Sequence, residues 1–552
     1  MSARREDRPG NPGYLPRGGA CVSCRRRKMR CDGKQPICGQ CDRAGRAEDC
    51  EYTTGQERSK VQLLEENISR LEARIQALQN PQAPAAATIR ELQTPQSSAP
   101  TTMRLHQPYI VVPSTSSGSP IQDPPRQIAE NLLNSFLPFA TEFGFFLNIP
   151  RFQASMFQAF PPGHPSRPSP ALIFSTYLFA IRISNDPLVK SNESTYLTRA
   201  TQEAATALSG NHPHKVMHSI QAEVLLATYF FSNGRFFEGK YHVANAVSTA
   251  VSAGLHKLRS TSPVSPATLP PYRDAVEEGE RIICAWIVFN LDKCWAVALE
   301  DSPNFEHSNH ALASKIDTPW PLDMDEFEQG LLPPNARTAL TVHNFLSGIQ
   351  TADIGLSTRA IESKAAVLWD RVTKFARKCS QQTSQQQLNE LFQEFSSIDA
   401  IIDRLKVSIP PPEHIPRFDL EKARRLAVGY SIINVSVIRL HGPFSSRSDS
   451  SRRKRLAAAH VILDIITYLK PRHSSYINPI MGTVWTEAAQ VIFDEISIIR
   501  SSYPSLGGGN GDPDQVLFST LYQALLSMND FCMNLPLLYF QVNKIQEACR
   551  AF

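Results

Sequence analysis

The sequence predicts a mainly α protein in several parts: a small cysteine-rich module, a short coiled coil, a disordered proline-rich linker and a large all-α domain. Three observations lead there. Six of the 11 cysteines fall between Cys21 and Cys50. Nine prolines lie between Pro81 and Pro125, spaced by Ser, Thr, Gln and Ala. From about Gln127 onward, apolar residues recur at three- and four-residue spacing, with no alternating strand pattern and no fixed-period repeat.

Composition narrows the function classes. The chain has 552 residues, a prior of roughly three or four structural units. Apolar residues make up 42%, enough for a sizeable core, and 20% are charged, as in ordinary soluble proteins. The net charge of +5 is unevenly placed: residues 1–60 hold 14 Lys and Arg against 8 Asp and Glu. The rest of the chain is nearly neutral, so the positive end is where an acidic partner is expected. The start, MSARREDRPG, has no apolar run behind its basic residues and does not read as a secretory signal. The most apolar stretch, Ile282 to Leu299, contains Asn290, Asp292 and Lys293, so it reads as a buried helix and no membrane association is expected. Cys284, Cys294, Cys379, Cys532 and Cys549 are scattered, unlike a secreted disulfide framework, which points to a reducing, intracellular compartment.

In chain order, residues 1–18 are expected to be disordered, 19–52 to form the cysteine module, and 53–80 to hold a linker and a helix. Within that helix Val61, Leu64, Ile68, Leu71, Ile75 and Leu78 step by three and four. β-Branched residues at a with Leu at d favour a parallel two-stranded coil, with Lys60 facing Glu65 of the partner; a homodimer is expected, and a heterodimer stays open. Residues 81–126 cannot bury a core and read as a linker. Residues 127–552 read as helices, including Val216 to Phe231, a second running to about Ala253, Leu456 to Leu469 and Val484 to Ile499. Ser232-Asn233-Gly234 gives a turn between the first two, and Gly254 falls where a helix C-cap is expected. Trp286 and Trp295 read as core.

The cysteines follow the pattern Cys21-x2-Cys24-x6-Cys31-x6-Cys38-x2-Cys41-x8-Cys50, two near-equivalent halves. Each C-x2-C brings two sulfurs to one ion, and thiolates in this number favour tetrahedral Zn2+. Six sulfurs satisfy two zinc ions only if two of them are shared. Such a site is closed to water, so its work is to fold a segment too small for its own core. Between Cys24 and Cys31, Arg25, Arg26, Arg27, Lys28 and Arg30 are cationic. On a short helix they meet different partners: some reach phosphates, which give affinity without sequence information, and one or two enter the major groove, where Lys and Arg read guanine.

With CRRRKMRC (Cys24 to Cys31) and Pro36 between the halves, residues 21–50 resemble the fungal Zn2Cys6 binuclear-cluster transcription factors. The resemblance implies that Cys21 and Cys38 bridge the two zinc ions, that Lys28 contacts bases with Arg27 beside it, and that Arg25, Arg26, Arg30 and Lys34 contact phosphates. It further implies double-stranded DNA as partner, CGG-like half-sites, a nuclear location and transcription coregulators. Further segments resemble the fungal-specific transcription factor domain, or middle homology region: Gln221 to His256, then ERIICAWIVFNLDKCWAVALEDSP with Arg281, Trp286, Asp292 and Pro303 at the family's places, then IDTPWP (Ile316 to Pro321) and RLHGPF (Arg439 to Phe444). That implies an all-α regulatory domain. The sequence departs from the pattern at Glu300-Asp301, where the family often has Gly-Arg-Pro.

No enzymatic constellation emerges. His307-x2-His310 lacks a metalloprotease's carboxylate arrangement, and Gly507-Gly508-Gly509-Asn510-Gly511 has neither a preceding strand nor a Lys. The run SRRKR (Ser451 to Arg455) reads as an exposed loop, with nuclear import as a second role. The reading that follows is a zinc-dependent DNA-binding regulator of RNA polymerase II transcription. The competing one is a nuclear scaffold whose cluster and coil bind protein or RNA.

Overall fold

The computed structural model describes residues 19–47, 50, 52, 124–261, 269–307, 316–380, 385–469, 476–502, 513–532 and 535–551. The heptad seam Val61 to Leu78, most of the proline-rich linker, residues 1–18, His310 and the Gly507 to Gly511 run lie outside the described residues. The chain divides into two compact units, Met1–Thr115 and Ser116–Phe552.

In the first unit the described residues form two five-residue helices, α1 (Val22–Arg26) and α2 (Gly39–Arg43). Its buried hydrophobic residues are Cys21, Cys24, Cys31, Cys38 and Cys41. Among the described residues, the only other hydrophobic ones packed against them are Ala20, Cys50 and Tyr52, each partly buried.

The second unit is helical, and the parallel bridge between Ser260 and Thr338 is its lone β-type pairing among the described residues. Helices α3 (Pro170–Ile183) and α4 (Lys215–Ser232) are apolar nearly all round and buried on most faces. Gly234, at φ 71°, turns the chain from α4 into α5 (Phe236–Ser252). Val243, Val247 and Ala250 face inward, as their spacing predicts, and Gly254 follows at φ 75°. Gly239 lets α5 lie close to α4, since a Cβ there would sit 2.4 Å from the Phe231 ring.

Helix α6 (Ala275–Ala298) starts at Asp274, whose carboxylate accepts the Glu277 N–H at 2.9 Å. It is the buried helix predicted across Ile282 to Leu299, and Trp286 and Trp295 are both core residues. No helix among the described residues is long and apolar enough to cross a membrane. Helices α7 (Thr358–Ser380) and α8 (Leu420–His441) pack along each other, with Gly429 of α8 against Ile361 and Glu362.

The motif residues prove to be architectural. Trp286 donates its indole N–H to the Pro319 carbonyl at 2.7 Å and stacks on Trp320 at 4.5 Å. Asp292 accepts from the Asn304 N–H, the Asn304 side-chain amide and the Phe305 N–H at 2.8–3.0 Å, fixing the chain that follows α6. Thr318 donates to the Leu255 carbonyl at 2.6 Å, so IDTPWP ties the end of α5 to this corner. Arg439 pairs with Glu487, donates to Thr373 at 2.8 Å and lies over Trp369. At the departure from the family pattern, Glu300 takes a left-handed φ of 55° and closes α6, with the Asp301 N–H on the Ala296 carbonyl at 2.8 Å. Asp301 pairs with Lys240.

One expectation is corrected. Ser451 to Arg455 is not an exposed loop but the first turns of α9 (Asp449–Tyr468). Ser448 caps that helix, which runs unbroken through the cations into the apolar segment from Leu456. Arg452 pairs with Glu495 at 2.7 Å, Lys454 with Asp399 at 2.7 Å and Arg455 with Asp494 at 2.8 Å. Acidic residues on neighbouring helices therefore account for the charge run.

Candidate metal centre and nucleic-acid face

Each C-x2-C folds by one local rule. Cys21 is the N-cap of α1, and its Sγ accepts the Cys24 N–H at 3.4 Å; Cys38 does the same for α2 with the Cys41 N–H at 3.4 Å. One helical turn then brings the second sulfur of each pair back beside the first. The four sulfurs converge: Cys21–Cys38 and Cys21–Cys41 are 3.7 Å apart, Cys24–Cys38 3.6 Å and Cys24–Cys41 4.0 Å.

These spacings fit a metal. Four thiolates at about 2.3 Å around a tetrahedral zinc ion stand about 3.8 Å from one another. No disulfide joins them; all six are free thiols. Burial pushes the Cys24 thiol up to about 12 and raises Cys21 as well, whereas at Cys31, Cys38 and Cys41 burial is outweighed by hydrogen bonds from neighbouring groups, which lower them.

The remaining two cysteines flank this set through Cys38. The Cys31 sulfur, the Cys38 sulfur and an Asp32 carboxylate oxygen lie within 4.8 Å of one another. The Cys50 sulfur accepts the Cys38 N–H at 3.2 Å. All six predicted cysteines are thus gathered into one small volume.

Three residues that the sequence did not single out complete the frame. The Asp32 carboxylate accepts the Gly39 N–H at 3.1 Å, capping α2, and a Cβ on Gly39 would meet that carboxylate at 2.6 Å. The Tyr52 hydroxyl donates to the Lys34 carbonyl at 2.9 Å and lies 3.7 Å from the Cys31 sulfur. An aromatic two residues past the last cysteine was a usable signal for Tyr52. Nothing local marks the pairing of Asp32 with Gly39.

Arg25, Arg26, Arg27, Lys28, Arg30 and Lys34 are all exposed, along α1, its C-terminal turn and the loop beyond. Arg25 also donates to the Ala20 carbonyl at 2.8 Å. Residues Val61, Leu64, Ile68, Leu71, Ile75 and Leu78 fall outside the described residues.

Residues 19–59 match the fungal Zn(2)-Cys(6) binuclear cluster domain, and residues 139–402 match the fungal specific transcription factor domain. An uncharacterized transcriptional regulatory protein of Schizosaccharomyces pombe is 43% identical over 77 residues, 13% of this chain and 9% of that protein. The C6 finger domain transcription factor hasF of Aspergillus fumigatus is 54% identical over 37 residues, 7% of this chain and 5% of its own. The citrinin biosynthesis transcriptional activator mrl3 of Monascus ruber is 37% identical over 76 residues, 13% of this chain and 14% of its own. The matched segments span no more than 14% of any of these three relatives. The helical domain and all three relatives carry transcription-factor or transcriptional-regulator descriptions. A zinc-binding cysteine cluster followed by a helical domain of this kind places the chain in the fungal Zn2Cys6 transcription factor family.

Proposed function

We propose that the chain is a nuclear, sequence-specific DNA-binding regulator of RNA polymerase II transcription. Its module, residues 19–52, holds two zinc ions with Cys21, Cys24, Cys31, Cys38, Cys41 and Cys50, and Cys21 and Cys38 are shared between them. Two tetrahedra sharing an edge need the bridging sulfurs about 3.8 Å apart, and 3.7 Å separates Cys21 from Cys38. When bound, the metal supplies the interior that the module lacks and fixes α1 as a rigid platform. Lys28 and Arg27 read guanines of CGG-like triplets in the major groove, and Arg25, Arg26, Arg30 and Lys34 hold phosphates. The heptad from Val61 to Leu78 pairs two copies, and residues 127–552 regulate the output.

The observation that carries this reading is the tetrahedral sulfur set joined directly to an exposed cationic helix end. The test is selection of binding sites from a random duplex library by the zinc-loaded chain, with native mass spectrometry of the same sample. Two zinc ions per chain and enriched paired triplets at one spacing are expected. One zinc ion per chain would overturn the shared-sulfur arrangement, and absence of enrichment would overturn DNA reading. Lys28→Ala is expected to abolish discrimination between selected and scrambled duplexes, whereas Arg25→Ala weakens both alike and lowers the salt dependence.

A further inference from the structure

The two halves of the module close their helices with the same hydrogen bonds. In the first, the Lys28 N–H donates to the Arg25 carbonyl at 3.2 Å and the Met29 N–H to the Cys24 carbonyl at 2.9 Å. In the second, the Gly45 N–H donates to the Asp42 carbonyl at 3.0 Å and the Arg46 N–H to the Cys41 carbonyl at 2.9 Å. Both are Schellman closures, in which the residue just past the helix turns left-handed. Lys28 has φ 52° and Gly45 has φ 63°, each seven residues after the first cysteine of its half.

Glycine suits that backbone because it has no Cβ to crowd the neighbouring carbonyl; a lysine there is strained. At Gly45 a Cβ would meet nothing within 4 Å, so the space on that half is open and only the backbone preference favours glycine. The half that carries the cations has a lysine instead, at an exposed position where no packing rewards it. Arg259, Glu300 and Leu340 of the second unit also turn left-handed; what sets Lys28 apart is that its strained backbone lies inside the exposed cationic run. Side chains on α1 lean toward its N-terminus. Lys28 starts beyond the helix, from a chain that has already reversed, so its ammonium group leaves from a different origin than the guanidinium groups of Arg25 and Arg26.

We propose that the left-handed backbone at Lys28 is a positioning device: the module keeps a strained lysine where glycine is the stable residue, and that conformation aims the base-reading amine. The proposal rests on the DNA-reading function above.

The test uses the zinc-loaded full chain with two readouts, the rate of zinc release to a chelator and the ratio of affinities for selected and scrambled duplexes. Lys28→Gly is expected to release zinc about fivefold more slowly than Lys28→Ala, because alanine loses the same charge but keeps the strain. Both are expected to bring the affinity ratio close to one. Met29→Lys combined with Lys28→Gly keeps Arg27 and a lysine nearby on a relaxed backbone, and the ratio is expected to stay close to one. Equal zinc release from the glycine and alanine variants would overturn the strain. Restored discrimination in the double variant would overturn the positioning. An unchanged affinity ratio in Lys28→Ala would instead overturn the base-reading role, whatever the release rates.

Discussion

The two units of this chain bury chemically different interiors. The described part of the first unit encloses five cysteines, with Cys50 and Tyr52 packed beside them. The second encloses Trp286, Trp369, Trp485 and a continuous set of aliphatic and phenyl side chains. A segment of some thirty residues cannot remove enough hydrocarbon from water to fold alone, so an ion has to replace the core. The second unit is large enough to depend on apolar burial, and its cysteines are small hydrophobes there. Burial raises the thiols of Cys284 and Cys294, which keeps them protonated and inert. The same residue type thus serves two purposes, decided by whether other sulfurs stand nearby.

All five tryptophans lie beyond residue 280, so indole fluorescence reports the second unit alone and separates the two cores cleanly. The largest expected effect is metal removal. Apparent zinc binding in small zinc domains is worth about 10–16 kcal/mol, and that energy is folding energy. A strong chelator is therefore expected to abolish amide protection across residues 21–46 while leaving the urea midpoint of tryptophan fluorescence unchanged. A shifted midpoint would show that the two interiors are energetically joined, and the contrast would fail.

A smaller effect separates the two kinds of cysteine. Cys21→Ser is expected to lower zinc content by mass spectrometry without moving the tryptophan midpoint. Cys284→Ser is expected to leave zinc content intact and destabilise the second unit by about 1–3 kcal/mol, since a hydroxyl replaces a thiol in fully buried apolar surroundings.

The smallest effect is protonation within the hydrocarbon core's margin. His218 accepts the Ser169 N–H at Nδ1 at 3.1 Å, and the ring of His212 stands 4.9 Å away. Burial holds His218 well below the usual histidine range and lowers His214 too. Groups with depressed folded values bind fewer protons in the native state than unfolded, so the stability they allow is complete above about pH 6.5 and declines below it. The tryptophan-detected urea midpoint is expected to fall between pH 7 and pH 5.5, as the unfolding free energy drops by at most about 1.4 kcal/mol per pH unit for each histidine. His218→Gln is expected to flatten that slope, and an unaltered slope would remove His218 from the account.

Much of this protein was legible in the residue order because the relevant constraints are local. Two cysteines three apart at a helix start reach one ion whatever surrounds them, so each C-x2-C pair was legible by itself, whereas the meeting of Cys21 and Cys24 with Cys38 and Cys41 took the folded module. Apolar spacing implied helices over Val216 to Phe231 and on to about Ala253, and the apolar stretch Ile282 to Leu299 implied a buried third; the structure has them at Lys215–Ser232, Phe236–Ser252 and Ala275–Ala298, because apolar content is a property of each segment alone.

What only the tertiary structure decided depends on residues far apart in the chain. Arg452, Lys454 and Arg455 looked like a free basic run until Asp399, Asp494 and Glu495 met them from other helices. Asp292 and Trp286 stood out as motif residues, but their work as fasteners for Asn304 and Pro319 needed the fold to bring those partners within hydrogen-bond distance. In the small module, the left-handed turn at Lys28 and the capping of Gly39 by Asp32 belong to the same class. Spacing determines which side chains are able to meet; charge pairing, strain and close backbone approach are settled only when the whole chain has closed around them.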